Sequence, residues 1–193
     1  MKKLLGILIL SLFLITPSQA DDIQDFQIEG MSIGDSALDY FNESRIKQTM
    51  RTDYPKSKKF SRSFGLKLSN MTTYDNVMIN FKTNDKKYKI AAISGGIMFK
   101  NNIKDCYPKK NNITSEIMKQ FSDLKNKSQK QKHSLDNKSL VDVTYIYFKR
   151  GRIEISCYDW TNKIEKERGY VDHLKVTLYS EEFRQWLDNE AYK

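Results

Sequence analysis

The sequence predicts an α+β domain: a mostly antiparallel sheet packed against amphipathic helices and closed by one disulfide. Three observations carry this. Apolar residues of period two and of period 3.6 come in separate blocks, in the order helix, three strands, helix, three strands, helix. Strands and helices that do not alternate one for one disfavour a doubly wound parallel sheet. The third observation is the cysteine pair, Cys106 and Cys157, in a chain that opens like an exported protein.

Residues 1–20 have the form of a secretory signal: Lys2 and Lys3, a twelve-residue apolar run from Leu4 to Ile15, then Ser18 and Ala20 as small cleavage residues. Twelve residues rise only about 18 Å as a helix, too short for a hydrocarbon core of about 30 Å. Cleavage after Ala20 is the expectation, with no cysteine there to take a lipid and no later span. Residues 21–193 then form a single domain in the periplasm or outside the cell. Its 39% hydrophobic and 12% aromatic content suffices for one core.

Phe26 and Ile28 alternate in a short lead that suits an edge strand. Ser32, three residues before Asp35, then resembles a capping box, with Ile33, Ala37, Leu38 and Phe41 on one helical face. A second short helix is expected over residues 43–50, around Ile46 and Met50. Period-two stretches follow: Phe60, Phe64, Leu66 and Leu68; Val77, Ile79 and Phe81; then residues 88–99, where Gly95 and Gly96 form either a hairpin turn or, as favoured here, a kink in one long strand. Ile113, Ile117, Phe121 and Leu124 make residues 112–126 the clearest helix. Residues 125–139 are lysine-rich and polar, and are expected to be a mobile loop.

Residues 140–158 read as a hairpin. With Arg150 and Gly151 as its turn, Phe148 faces Ile153, Ile146 faces Ile155 and Thr144 faces Cys157, so that Cys157 points into the core. The other side carries Tyr145, Tyr147, Glu154, Ser156 and Tyr158. A bridge from Cys157 to Cys106 would tie the central helix to this hairpin. A last strand through Leu174, Val176 and Leu178 leads to Ser180 as the cap of a helix that buries Phe183, Trp186 and Leu187.

The chain is basic, +9 overall, and without Lys2 and Lys3 it keeps 31 cationic against 24 acidic residues. Only 7 of the 33 cations are Arg, so codon bias explains much of the charge, since Arg is the better phosphate clamp. Lys100, Lys104, Lys109, Lys110 and Lys119 are the densest candidates for anion binding. Their alternative is a solvated face that maintains solubility.

With both cysteines expected in a disulfide, the two histidines cannot fill a zinc site without carboxylates, and they leave little for acid–base chemistry. Serine-elbow, Walker, dinucleotide and zincin motifs are missing, so neither a metal nor a cofactor is expected. His133 is expected at the solvated surface. The one catalytic pairing available is Asp159 with His173, as in a hydrolase.

The run from Ile28 to Ser36, the single Cys before an amphipathic helix, the Cys157, Tyr158, Asp159, Trp160 segment and the closing Phe183, Trp186, Leu187, Ala191 and Tyr192 resemble uncharacterised exported proteins of AT-rich, Pelagibacter-type marine alphaproteobacteria. The resemblance spans most of the chain after the leader. It implies an exported soluble protein and carries over no functional residue. Gly30, Met31 and Ser32 ahead of a helix also resemble the opening of small outer-membrane assembly lipoproteins, whose lipidated Cys has no counterpart here. The expected function is non-enzymatic: an envelope domain that binds or scaffolds an anionic polymer or another envelope protein.

Overall fold

The computed structural model describes residues 22–100 and 102–193; the leader expected over 1–20 lies outside them. The helices are α1 (Glu43–Thr49), α2 (Cys106–Gln120), α3 (Asn162–Arg168) and α4 (Glu181–Asn189). The strands are β1 (Met50–Arg51), β2 (Phe60–Leu66), β3 (Asn76–Lys82), β4 (Ala92–Met98), β5 (Lys125–Lys132), β6 (Leu140–Phe148), β7 (Gly151–Asp159) and β8 (His173–Ser180). They form one antiparallel sheet in the order β1-β2-β3-β4-β8-β7-β6-β5. Each half of the chain runs from a helix into a four-stranded meander, and the two meanders join where β4 pairs with β8.

Alternation sorts side chains to two faces. On the helix face lie Val77, Ile79, Ile93, Ile146, Ile153, Ile155, Leu174 and Leu178, all buried under α1, α2 and the N-terminal lead. Burial of this apolar area is the main stabilising term. On the opposite face, Phe183 and Trp186 of α4 cover one end, packing edge-on and tilted against Phe60. Ser180 caps α4 as expected, its Oγ accepting from the Phe183 N–H at 3.2 Å.

Cys106, in the first turn of α2, is bridged to Cys157 of β7 across a Cα separation of 6.0 Å, and both residues are fully buried. The α+β architecture, the disulfide and the tie between helix and hairpin therefore stand. Residues 92–98 are one strand whose register passes Gly95 and Gly96 unbroken.

Several local expectations are corrected. Residues 32–41 are not an α-helix. Gly34 sits at φ +96°, and the N–H groups of Gly34 and Ala37 donate to Ile90 and Tyr88 carbonyls, so the segment is hydrogen-bonded to the β3–β4 connection. Phe26 and Ile28 are buried, but Ile28 only bridges locally to Met31. In β2 the register shifts between Ser63 and Leu66, which sends Phe60 and Leu66 to opposite faces and leaves Phe64 exposed.

Helix α2 begins at Cys106, six residues earlier than expected, because Pro108 is harmless in a first turn that lacks N–H partners. The hairpin turn is Lys149 and Arg150, with Phe148 opposite Gly151 and Ile146 opposite Ile153. Gly151 is needed elsewhere: at φ +151° it lies against the Tyr179 carbonyl, 2.3 Å from where a Cβ would stand. A register change of two residues leaves every side chain on its expected face.

The lysine-rich segment expected to be mobile contains β5, an edge strand paired with β6 over eight residues. Backbone hydrogen bonding orders it without burial, and its lysines deter a further strand from adding to the edge. The turn that follows is held by the Asp136 carboxylate, which accepts from the Lys138 and Ser139 N–H groups and from the Ser139 and Thr161 hydroxyls. These bonds hold the Asp136 carboxyl well below the usual carboxylate range, against the opposing effect of burial.

Candidate functional site: the opposite face of β5 to β8

Because Leu174, Val176 and Leu178 face the helices, their neighbours His173, Lys175, Thr177 and Tyr179 must face the other way. In β7 the same rule turns Arg152, Glu154, Ser156 and Tyr158 outward, with Tyr145 and Tyr147 of β6 beside them. Lys125 and Lys127 of β5 stand opposite these two tyrosines. The result is a polar and aromatic surface beside the end covered by α4, interrupted in β6 by the buried Val141 and Val143.

Small residues line its floor. Ser94 and Thr177 share a 2.9 Å hydrogen bond across β4 and β8, and the Ser156 hydroxyl donates to Glu154 Oε1 at 3.0 Å. All three hydroxyl residues are buried. The Arg152 guanidinium rests 4.9 Å from the Tyr145 ring centroid and 5.1 Å from that of Tyr179. Lys175 Nζ is 4.8 Å from the Tyr158 ring.

Arg152 and Glu154 are each only 9% exposed. The guanidinium faces Asp188 Oδ2 at 3.7 Å and Glu154 Oε2 at 4.0 Å, both too far for hydrogen bonds, and its buried Nε has no partner among the described residues. Burial would lower the Lys175 pKa, but the oxygens of Tyr158 and Tyr179 and the Glu154 carboxylate outweigh it, and the ammonium stays charged. Burial also drives the Tyr179 hydroxyl well above its ordinary pKa, so it is neutral at physiological pH.

At the end of this face His173 stacks on Tyr158 with centroids 4.7 Å apart, and His133 lies 4.7 Å from Trp160. His133 is thus half-buried against aromatic rings, a correction to its expected solvated position. His173 Nδ1 lies 2.7 Å from the Val171 carbonyl and therefore carries the proton of the neutral ring. Burial, with help from the Lys175 charge, pulls its pKa down to about 4. Asp172 accepts the Trp160 N–H at 2.7 Å, and burial raises its carboxyl above the usual range.

Asp159 and His173 do not meet. Asp159 belongs with Cys157 on the helix face, where the Tyr107 hydroxyl of α2 lies 3.4 Å away, whereas His173 pairs with Tyr158 on the opposite face. The sheet separates them, and the proposed hydrolase pair is withdrawn for that reason. Of the five candidate lysines, Lys100, Lys104 and Lys119 are exposed and Lys109 is half-buried. Lys110 is only 4% exposed and forms an ion pair with Asp142 under α2, so it is removed from any surface patch. These lysines belong to α2 and its approach and do not join the sheet surface.

Arg152 and Lys175 were missed as site residues although the signal was present: both alternate with apolar residues of a strand. Among the described residues no helix is long and apolar enough to cross a membrane, and no cluster of three or more His, Cys, Asp or Glu is placed to hold a metal ion. Comparison of the chain with protein-family models, with curated proteins and with solved structures gives no match.

Proposed function

We propose that this is an exported bacterial protein that binds an anionic polymer of the cell envelope and does no catalysis. The observation that carries the compartment is the fully buried Cys106–Cys157 bridge, because such bonds form and persist where the surroundings are oxidising. The leader-like residues 1–20 and the resemblance to exported marine bacterial proteins agree with it. Binding is supported by the excess of cations, and non-enzymatic action by the separation of Asp159 from His173.

The test has two parts. Expressed from its own leader in a bacterium, the protein should be recovered outside the cytoplasm with an N-terminus at Asp21 and no free thiol. The purified mature chain should be retained by an immobilised acidic polysaccharide at low salt and released as salt screens the charges. Cytoplasmic protein with both thiols reduced would end the compartment assignment, and no retention at low salt would end the binding assignment.

A further inference from the structure

The geometry points to a docking place and a ligand class: an acidic glycan whose sugar ring stacks on Tyr147 and Tyr145 while its oxyanion receives the guanidinium of Arg152, flanked by Lys125 and Lys127. This rests on the proposed envelope binding and moves it away from the lysines of α2, on the other side of the sheet.

The first reason is the state of Arg152. A guanidinium has five donors, and a buried donor left unpaired is costly; Arg62 Nε and the Trp160 indole N–H share this state, but only Arg152 lies beside the exposed Tyr147 and the β5 lysines. Here Nε has no partner and the facing carboxylate oxygens stand 3.7 and 4.0 Å away. An arriving carboxylate or sulfate could take two parallel N–H bonds, the geometry for which Arg is suited. The stacked Tyr145 and Tyr179 rings hold the group in position beforehand.

The second reason is the surface around it. Tyr147 is 39% exposed, and its ring centroid lies 6.4 Å from that of Tyr145 at a tilt of 37°, so the two rings form a side-by-side platform. A sugar offers an apolar C–H face to such a ring and hydroxyls to its rim, and Gln129 stands next along the same face of β5. Lys125 lies opposite Tyr147 and Lys127 opposite Tyr145. Four cations, Lys125, Lys127, Arg152 and Lys175, share this face with Glu154, and Asp188 of α4 stands at its border, so the field favours an anion.

Affinity electrophoresis of the mature protein through gels containing alginate, dextran sulfate, neutral dextran or single-stranded DNA tests this. Retardation by alginate or dextran sulfate, and not by neutral dextran, is expected, and the stronger of the two identifies the oxyanion as carboxylate or sulfate. Tyr147→Ala, the pair Lys125→Ala with Lys127→Ala, and Arg152→Met should each weaken binding about tenfold. The first two are exposed sites and remain informative if Arg152→Met fails to fold. Lys104→Ala with Lys119→Ala should bind like the parent protein. If that α2 variant loses binding while the sheet variants keep it, the docking place is wrong and envelope binding survives. Retardation by DNA alone, or equally by neutral dextran, overturns the ligand class. No retardation by any anionic polymer overturns both this inference and the function on which it rests.

Discussion

Strands β7 and β8 present opposite chemistries on their two sides. Ile155, Cys157, Leu174 and Val176 lie on the helix face under α2, where the disulfide closes the contact. Glu154, Ser156, Lys175 and Thr177 are their immediate neighbours, yet they form a polar floor on the opposite face. The difference teaches that burial is not one condition. On the helix face it is dry packing of carbon; on the other it is hydrogen bonding among small hydroxyls and a carboxylate beside cationic and aromatic side chains.

The largest effect expected is on the helix face. Replacing both cysteines, Cys106→Ser with Cys157→Ser, should lower stability by about 4 kcal/mol in denaturant unfolding, for a loop with a sequence separation of 51. A loss below about 1 kcal/mol would show that packing of α2 alone holds that face, and that the bridge is secondary.

Lys110→Met should cost about 2 kcal/mol, because it strands Asp142, whose side chain is only 26% exposed. Adding Asp142→Leu should recover most of that loss, since an apolar pair fits the same interface. If the double variant is no better than the single, the ion pair is a positive contributor and the helix face is less dry than described.

Two adjacent glycines sharpen the contrast within one strand. Gly95 faces the helix side, where a Cβ would stand 2.5 Å from the Tyr74 ring, so Gly95→Ala should destabilise by about 1–2 kcal/mol. Gly96 faces the other way, with the flexible Met98 Cε the nearest atom at 3.4 Å, and Gly96→Ala should fall within about 0.5 kcal/mol of the parent. Equal melting temperatures for the two variants would erase the distinction between the faces at β4.

A further small effect is a pH dependence of the open face. His173 has a folded pKa of about 4 against an ordinary 6.5, so the unfolded chain binds its proton more readily. The stability gained from the neutral ring is complete above pH 6.5 and is lost as pH falls toward 4. For a half-buried ring the screened loss is on the order of 1 kcal/mol. His173→Phe keeps a ring on Tyr158 and should flatten stability between pH 4 and 6.5 relative to the parent. An unchanged slope would mean that other groups, Asp172 among them, govern that window.

Much of the helix face was legible in the chain. The stripes through Val77, Ile79 and Phe81 and through Leu174, Val176 and Leu178 declare strands, and the polar neighbours of the second stripe already imply the opposite surface. The disulfide and the Ser180 cap follow from equally local signals. The segment Lys125–Lys132 carried no such signal, because its order comes from the free edge of β6 and not from its own side chains. Gly34 escaped notice because the acceptors that draw its segment out of a helix, the carbonyls of Tyr88 and Ile90, lie more than fifty residues away.

Period-two and helical patterning therefore determined the core residues of β3, β7, β8 and α4, since hydrophobic alternation acts through the nearest neighbours in the chain. Only the tertiary structure decided that Asp159 and His173 stand on opposite sides of a sheet, that Lys110 is turned inward to Asp142, and that Arg152 lies between two tyrosines without a hydrogen bond. Those outcomes depend on register and on which strand lies beside which, and the chain sets these only when distant segments compete for the same hydrogen-bonding edge.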